Sequence, residues 1–133
     1  MDYCQLKKLI PKDKFDLEPF PALMEIGEDE VKPILPELLF CVADINWPIA
    51  TEMIKVLIRF PDSVVPLIKN VLKPSEADEE WKYFIITDLV PRLPKSSQEL
   101  LLEDIKRILD APTNGEILGG VVEVVENYAK RHR

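Results

Sequence analysis

The sequence predicts an all-α fold, an α-α superhelix in which short helices stack in pairs. Apolar residues recur at the three- and four-residue intervals of packed helices through most of the chain. The chain has only four glycines, fewer than the turns of an all-β sandwich normally require, and no alternating stretch is long enough to predict a strand. Its 133 residues are 47% hydrophobic and 31% charged, so we expect one globular domain over residues 1–133.

The N-terminal region is the least regular part of this pattern. We expect a short helix over residues 2–10, a turn or extended stretch over residues 10–16, and another short helix over residues 17–26. The residues of the second short helix that should pack inward are Phe20, Leu23, Met24 and Ile26.

Residues 28–43 give the first strong helical pattern. Their inward-facing stripe consists of Val31, Ile34, Leu35, Leu38, Leu39 and Val42. The acidic residues 28–30 lie in the first turn, where negative charge suits the helix dipole. Pro33 and Pro36 each remove a backbone donor, so a bend or a late start near Pro36 is expected.

The second helix of this first pair is predicted over about residues 47–60. Asp44 and Asn46 precede it as candidate N-caps, and Pro48 suits a first turn. Its apolar face is Ile49, Ala50, Met53, Ile54, Val56, Leu57 and Phe60. Its polar face is Thr51, Glu52, Lys55 and Arg59. The segment 61–63 is expected to end it.

A second helix pair is predicted over residues 63–73 and 79–93, joined by a polar loop. The apolar residues of the first of these helices are Val64, Val65, Leu67, Ile68, Val71 and Leu72. The second has Trp81, Phe84, Ile85, Leu89, Val90 and Leu93 on one face. Asp88 and Arg92 have the spacing of an ion pair on its polar face.

A third pair completes the predicted fold. Ser96 and Glu99 have the spacing of a capping box, and the helix after them carries the apolar residues Leu100, Leu101, Leu102, Ile105, Ile108 and Leu109. Thr113 and Glu116 form a second predicted capping box, before a helix that carries Ile117, Leu118, Val121, Val122, Val125, Tyr128 and Ala129. Gly119-Gly120 inside this helix indicates a close backbone contact or a weak point.

The first two pairs resemble each other at a shift of about 33 residues. Asp44-x-x-Trp47 matches Asp78-x-x-Trp81 with one residue of slippage. A period of this size with two helices per unit indicates an α-solenoid. We interpret each Asp as the cap of a second helix and each Trp as a wedge between units, so both Trp-to-Ala variants should be strongly destabilised.

The segment Leu35-Pro36-Glu37-Leu38-Leu39, followed by Asp44, Ile49-Ala50 and Leu57, resembles a HEAT repeat. Such repeats carry a proline in the first helix and an aspartate in the turn. Trp47-Pro48 and Trp81-Lys82 stand where HEAT repeats have a Val-Arg pair, so the arginine ladder of HEAT arrays is missing.

The whole chain also resembles a small bacterial family of single-domain proteins of unknown function. The segments that carry this resemblance are Leu9-Ile10-Pro11-Lys12-Asp13-Lys14-Phe15-Asp16, Asp44-Ile45-Asn46-Trp47-Pro48-Ile49-Ala50, Glu80-Trp81-Lys82-Tyr83 and Pro112-Thr113-Asn114-Gly115-Glu116. The resemblance implies a HEAT-like fold and transfers no activity.

The charge distribution argues against nucleic acids as partners, and the apolar runs argue against a membrane span. The chain has a net charge of −7, and its basic ends leave an excess of negative charge on the body. Such a body repels phosphate backbones. A basic protein partner would complement it, and solubility alone explains the acidity equally well. No apolar run approaches the roughly 20 residues of a membrane span, and the N-terminus does not resemble a signal peptide, so a cytoplasmic location is expected.

Sequence motifs for chemistry are sparse. His132 is the single histidine and stands next to the last residue, where a tail is a better interpretation than a catalytic group. We predict no metal site and no cofactor, because the chain has neither a His and Cys ligand cluster nor a phosphate-binding glycine loop. Cys41 is interpreted as a core residue. The acidic body also argues against a HEAT-like DNA glycosylase.

These observations favour a non-enzymatic protein-interaction module. The partner would bind along the second-helix face. The candidate contact residues are Asn46, Trp47, Thr51, Glu52, Lys55, Arg59, Lys82, Tyr83, Asp88 and Arg92. Two alternatives stay open: an immunity-like protein that neutralises a cognate basic toxin, and an enzyme that uses a pair of carboxylates.

Overall fold

Helices account for all the regular structure in the part of the chain that the structure describes. The computed structural model describes residues 2–131, so His132 lies outside the described residues. Within that range there is no strand, which confirms the all-α fold class. The helices are α1 (Tyr3–Lys7), α2 (Phe20–Leu23), α3 (Glu28–Val31), α4 (Leu35–Phe40), α5 (Pro48–Leu57), α6 (Pro61–Val71), α7 (Glu79–Phe84), α8 (Lys95–Leu100), α9 (Leu102–Asp110), α10 (Asn114–Leu118) and α11 (Val121–Arg131).

The N-terminal helices are shorter than the sequence pattern predicts. A capping box formed by Asp2 and Gln5 starts α1. Phe20, Leu23 and Ile26 are buried as expected. Met24 is 42% exposed, so the prediction that it packs inward is wrong. Its position at the C-cap of the four-residue helix α2 places it beyond the inward stripe.

The prolines divide the predicted helix over residues 28–43, as anticipated. A 3₁₀ segment, Lys32–Ile34, separates α3 from α4, and Pro36 stands in the first turn of α4. A proline there costs no helical hydrogen bond, because the first backbone N–H groups have no partner within the helix. The predicted stripe from Val31 to Val42 is buried throughout.

The start of α5 differs from the predicted cap. The Asp44 carboxylate accepts a hydrogen bond from the backbone N–H of Asn46, at 2.9 Å. This local turn makes Trp47 the N-cap residue, and no side chain caps α5. The prediction that Asp44 caps the helix is therefore wrong. Pro61 opens α6, although the sequence pattern places the start of that helix two residues later.

The second helix of the next pair follows its predicted span but not a regular α-helical path. The Asp78 side chain caps α7 by accepting the N–H of Trp81 at 3.0 Å, as predicted. A π-helical turn, Ile85–Leu89, and a 3₁₀ turn, Val90–Arg92, follow α7. These turns change the residue spacing on the helix surface. Asp88 accepts a hydrogen bond from Thr87 at 2.6 Å and forms no ion pair with Arg92, so the predicted pair is wrong.

One of the two predicted capping boxes forms. The Pro94 carbonyl accepts from Ser97 and Gln98, so α8 begins at Lys95 and Ser96 lies inside it rather than capping it. Thr113 and Glu116 form the predicted capping box of α10.

Two exposed pairs of residues mark where the predicted long helices break. Leu100 and Leu102 are 58% and 49% exposed because Leu101 interrupts the helix between α8 and α9. Gly120, with φ of 77°, separates α10 from α11. Ile117 and Leu118 at that break are 54% and 88% exposed. All four residues lie at helix ends, outside the buried stripes of their helices.

The helices share one core, and their long-range polar contacts are regularly spaced. A single cluster of buried residues extends from Leu6 to Tyr128. Helix α4 packs on α5 and α6, α6 packs on α8, and both α7 and α9 pack on α11. Six hydrogen bonds join described residues that are 33 to 36 positions apart. No helix in the described range is long and apolar enough to cross a membrane.

Candidate functional site

The predicted second-helix face is only partly available for binding. On α5, Thr51 and Lys55 are exposed, and Lys55 pairs with Glu52 at 3.0 Å. The Arg59 guanidinium donates to the backbone carbonyls of Leu23 and Ile26, at 2.7 and 3.0 Å. Arg59 therefore ties the end of α5 to the segment around α2. Thr51, Glu52 and Lys55 stay candidates for contact with a partner.

The residues predicted on the next second helix are dispersed. Lys82 is fully buried, at 0% exposure, so the interpretation of this lysine as a surface contact is wrong. Its ammonium donates hydrogen bonds to Glu116 and to the carbonyl of Lys73, inside the protein. Tyr83 is half-buried and lines a small cavity of about 110 Å³, whereas Arg92 is exposed. Because the π-helical turn intervenes, Tyr83, Asp88 and Arg92 do not continue the α5 face.

Three aromatic side chains instead form a cluster at the surface. The Phe40 ring lies edge-on to Trp81, with 5.2 Å between centroids, and edge-on to Trp47 at 6.3 Å. The Trp81 indole N–H donates to the carbonyl of Leu39 at 3.1 Å. Both tryptophans are half-buried, but Phe40 is 48% exposed. The cluster thus holds a large apolar ring at the surface in a fixed orientation.

Two grooves border this aromatic cluster and meet at Pro36. The first, which we call the α6 groove, has a volume of about 270 Å³ and is lined by Pro36, Leu39, Leu67, Asn70, Val71, Glu76 and Trp81. The second, the α4 groove, has a volume of about 410 Å³ and is lined by Ile10, Pro11, Pro36, Glu37, Phe40 and Cys41. We call the cluster and the two grooves together the aromatic face. Of the sequence-predicted candidates, it includes Trp47, and exposed Asn46 adjoins it in the chain.

A buried ionic network is the other polar arrangement of note. Glu116 is 0% exposed, and Arg107 reaches both of its carboxylate oxygens, at 2.5 and 2.7 Å. The Lys82 ammonium donates to Glu116 at 2.8 Å and to the carbonyl of Lys73 at 3.0 Å. Arg107 also donates to the carbonyl of Leu72 at 2.6 Å. These contacts join α7, α9, α10 and the end of α6.

Glu79 belongs to the same network but is poorly satisfied. Its Oε2 atom is 3.8 Å from the Lys82 ammonium. This buried oxygen accepts no hydrogen bond from the described residues. The glutamate packs against two glycines of the neighbouring helix. A Cβ atom added at Gly119 would lie 2.8 Å from Glu79 Cβ, and one at Gly115 would lie 2.6 Å from Glu79 Oε1. The predicted close backbone contact at Gly119 is confirmed.

The two glutamates titrate in opposite directions. Burial alone would raise the pKa of Glu116, but hydrogen bonds from Arg107, Lys82 and Thr113, with the Lys82 charge, lower it to about 2. Burial raises the pKa of Glu79 above its ordinary value, and the attraction of Lys82 only partly offsets this. The network therefore holds one firmly ionised carboxylate beside one that is costly to ionise.

This difference predicts a pH-dependent effect of the variant Glu79→Gln. Because the folded-state pKa of Glu79 is raised, its ionisation opposes folding at neutral pH, and protonation removes the penalty as pH falls. The variant should therefore be more stable than wild type at pH 7, and the difference should shrink on acidification. Urea denaturation of both proteins across the acidic range checks this, and a difference that widens as pH falls would contradict it.

The charged side chains of the network bond mainly to one another and to nearby backbone carbonyls. No group of three or more described His, Cys, Asp or Glu residues is arranged to hold a metal ion. Cys41 is buried, which confirms its interpretation as a core residue, and desolvation raises the pKa of its thiol to about 11. The network therefore fits a structural role, and the aromatic face is the stronger candidate for binding.

Sequence reasoning missed Phe40 and most of the network. Phe40 falls outside the inward stripe of α4, so its pattern predicts ordinary surface exposure. Glu79 lies in the first turn of α7, where the sequence predicts an acidic residue exposed to solvent. The 34-residue separation of Lys82 and Glu116 is the one available signal, because it equals about one repeat.

Comparison with known proteins gives one result that covers most of the chain. A family model described as a domain of unknown function, DUF5071, matches residues 9–128. Curated proteins include none that matches the chain. The match spans the aromatic face from Ile10 to Trp81 and all four members of the ionic network.

Proposed function

The chain belongs to the DUF5071 family, a domain of unknown function, and we propose that it is a non-enzymatic, HEAT-like module that binds another protein through its aromatic face. The partner surface lies along α4, the α6 groove and the start of α7 rather than along the second helices alone. A cytoplasmic location is part of this proposal.

Helix packing and contact spacing support the HEAT-like part of the proposal. The first helices of successive units pack in a row, from α4 to α6 to α8. The hydrogen bonds that link residues 33 to 36 positions apart match the 33-residue shift of the sequence repeat. Both features are expected when each unit contacts mainly its neighbours.

The exposed ring of Phe40 carries the binding part of the proposal. Phe40 is 48% exposed yet is fixed between two tryptophans, so it would lose little side-chain entropy on binding. Aromatic residues in pre-formed apolar surroundings often dominate the binding energy of protein interfaces. The adjoining grooves would receive side chains of the partner.

Phe40→Asp is expected to abolish capture of a protein partner from an extract of the native cells. The charge would be placed at the centre of the apolar contact, where it costs desolvation on binding. The matched control is Phe15→Asp, because Phe15 is 66% exposed and lines neither groove. Quantitative mass spectrometry of proteins retained by each immobilised variant measures the effect.

The proposal predicts a protein that wild type and Phe15→Asp retain and Phe40→Asp loses. Circular dichroism and thermal melting must show that Phe40→Asp is folded, and Phe40→Ser serves in its place if it is not. Equal retention of every protein by all three variants would refute binding through the aromatic face.

A further inference from the structure

We infer that the aromatic face binds a basic protein segment that inserts one bulky apolar side chain beside Trp81. This inference rests on the proposed function and specifies the chemistry of the partner. It follows from the size of the α6 groove, the identity of the charged residues that line both grooves, and the charge of the chain.

The α6 groove has the size and lining to receive an apolar side chain. Its volume is about 270 Å³. Its lining is mostly apolar, and the polar edge of Trp81 is already engaged by the Leu39 carbonyl. An aliphatic or aromatic side chain would pack against the indole without competing for its N–H.

The grooves carry negative charge only. Among the described residues that line them, the charged ones are Glu37 and Glu76, and none is a lysine or an arginine. Glu76 is held at the rim because its carboxylate accepts the backbone N–H of Asp78 at 3.1 Å. Glu37 is exposed in the first turn of α4. Lysines or arginines beside the inserted side chain would meet both carboxylates.

The overall charge favours the same partner. The chain carries a net charge of −7, and residues 1–14 contribute +2 to it through four lysines and two aspartates. Ile10 and Pro11 of that basic segment line the α4 groove, and the charged residue of its lining is Glu37. A basic segment would therefore be steered toward the side of the face that α4 and the loop before α7 form.

A random peptide display library tests the partner chemistry without assuming a sequence. Selection against the wild-type domain, with removal of sequences that also bind Phe40→Asp, isolates peptides that require the aromatic face. We expect the retained sequences to combine a bulky apolar residue with neighbouring lysine or arginine. Retained sequences that are neutral or acidic would overturn the inference, as would failure to retain any.

A charge reversal then measures the contribution of the acidic rim. A selected peptide should bind Glu37→Lys about two- to tenfold more weakly than wild type, the range expected for losing an exposed attraction and adding a repulsion. Glu126→Lys is the matched control, because it makes the same charge change at an exposed position of α11. The indole N–H signal of Trp81 in NMR spectra should shift on binding. Equal affinities for the two variants would overturn the inference.

Salt dependence gives an independent readout of the same contacts. Raising the salt concentration from about 0.1 to about 1 M shortens the screening length from about 10 to about 3 Å, so affinity should fall. An affinity that holds or rises would overturn the basic-segment inference.

The outcomes separate this inference from the proposed function. Phe40-dependent binding of acidic or neutral peptides leaves the protein-binding proposal intact and overturns only the partner chemistry. Unchanged capture in the extract experiment, together with an empty peptide selection, overturns both. If sedimentation shows that wild type dimerises and Phe40→Asp does not, a second copy of the chain occupies the face, and the basic-segment inference fails.

Discussion

Replacing Glu116 with alanine is expected to lower the free energy of unfolding by about 3–5 kcal/mol, the usual cost of removing one partner from a buried ion pair. The change leaves the Lys82 ammonium, which is 0% exposed, without its carboxylate. It also removes the bidentate contact of Arg107 and half of the α10 capping box. Small domains are stable by only about 5–15 kcal/mol, so the loss would be evident in urea denaturation.

Two further variants give this prediction its controls. Glu103→Ala removes an exposed glutamate near the start of α9 and should change the free energy of unfolding by less than about 0.5 kcal/mol. The double variant Glu116→Leu with Lys82→Met removes the buried ammonium together with its carboxylate and should recover part of the loss, while Glu79 and Arg107 each still lose a partner. A stability of Glu116→Ala within about 1 kcal/mol of wild type would contradict the buried-charge interpretation.

Trp81→Ala is expected to lower the free energy of unfolding by about 2–4 kcal/mol, somewhat less than for a fully buried tryptophan. The indole packs on Phe40, lines the α6 groove and donates to the Leu39 carbonyl, so it joins α7 to α4. Trp47→Ala should be milder, because the ring centroid of Trp47 lies farther from Phe40, at 6.3 Å, and Trp47 lines neither groove. Thermal and urea unfolding of both variants measures the order.

Trp81→Phe isolates the hydrogen bond from the packing. It retains an aromatic ring and loses the N–H that contacts Leu39, so it should cost about 1 kcal/mol beyond any packing change. If Trp47→Ala were the more damaging of the two alanine variants, the interpretation that Trp81 makes the stronger contacts would fail. If both variants melted at the wild-type temperature, the interpretation of the two tryptophans as wedges would fail for both.

The helices were predictable because their signals are local. Apolar spacing identified the buried stripes of α4, α5 and α6, and the Thr113–Glu116 spacing identified a real capping box. Boundaries were less predictable where two local signals compete. Pro94 starts α8 before the Ser96 cap could act, and an aspartate turn moves the start of α5 away from Asp44.

The candidate sites depend on contacts that a local pattern does not contain. The burial of Lys82 follows from Glu116, 34 residues later, and from the backbone of Lys73. The π-helical turn at Ile85–Leu89 also changes the spacing of residues around the helix. Tyr83, Asp88 and Arg92 therefore do not share one face. Trp47 was identified from the repeat, whereas the exposed ring of Phe40 required the positions of both tryptophans.

The ionic network affects the order in which the helices of the domain unfold. Terminal helices of a protein often open separately from the rest of the chain. Here α10 cannot detach alone, since its departure would remove the Glu116 carboxylate from Lys82 and Arg107. Opening of α10 should therefore coincide with opening of α7 and α9, which carry those two residues.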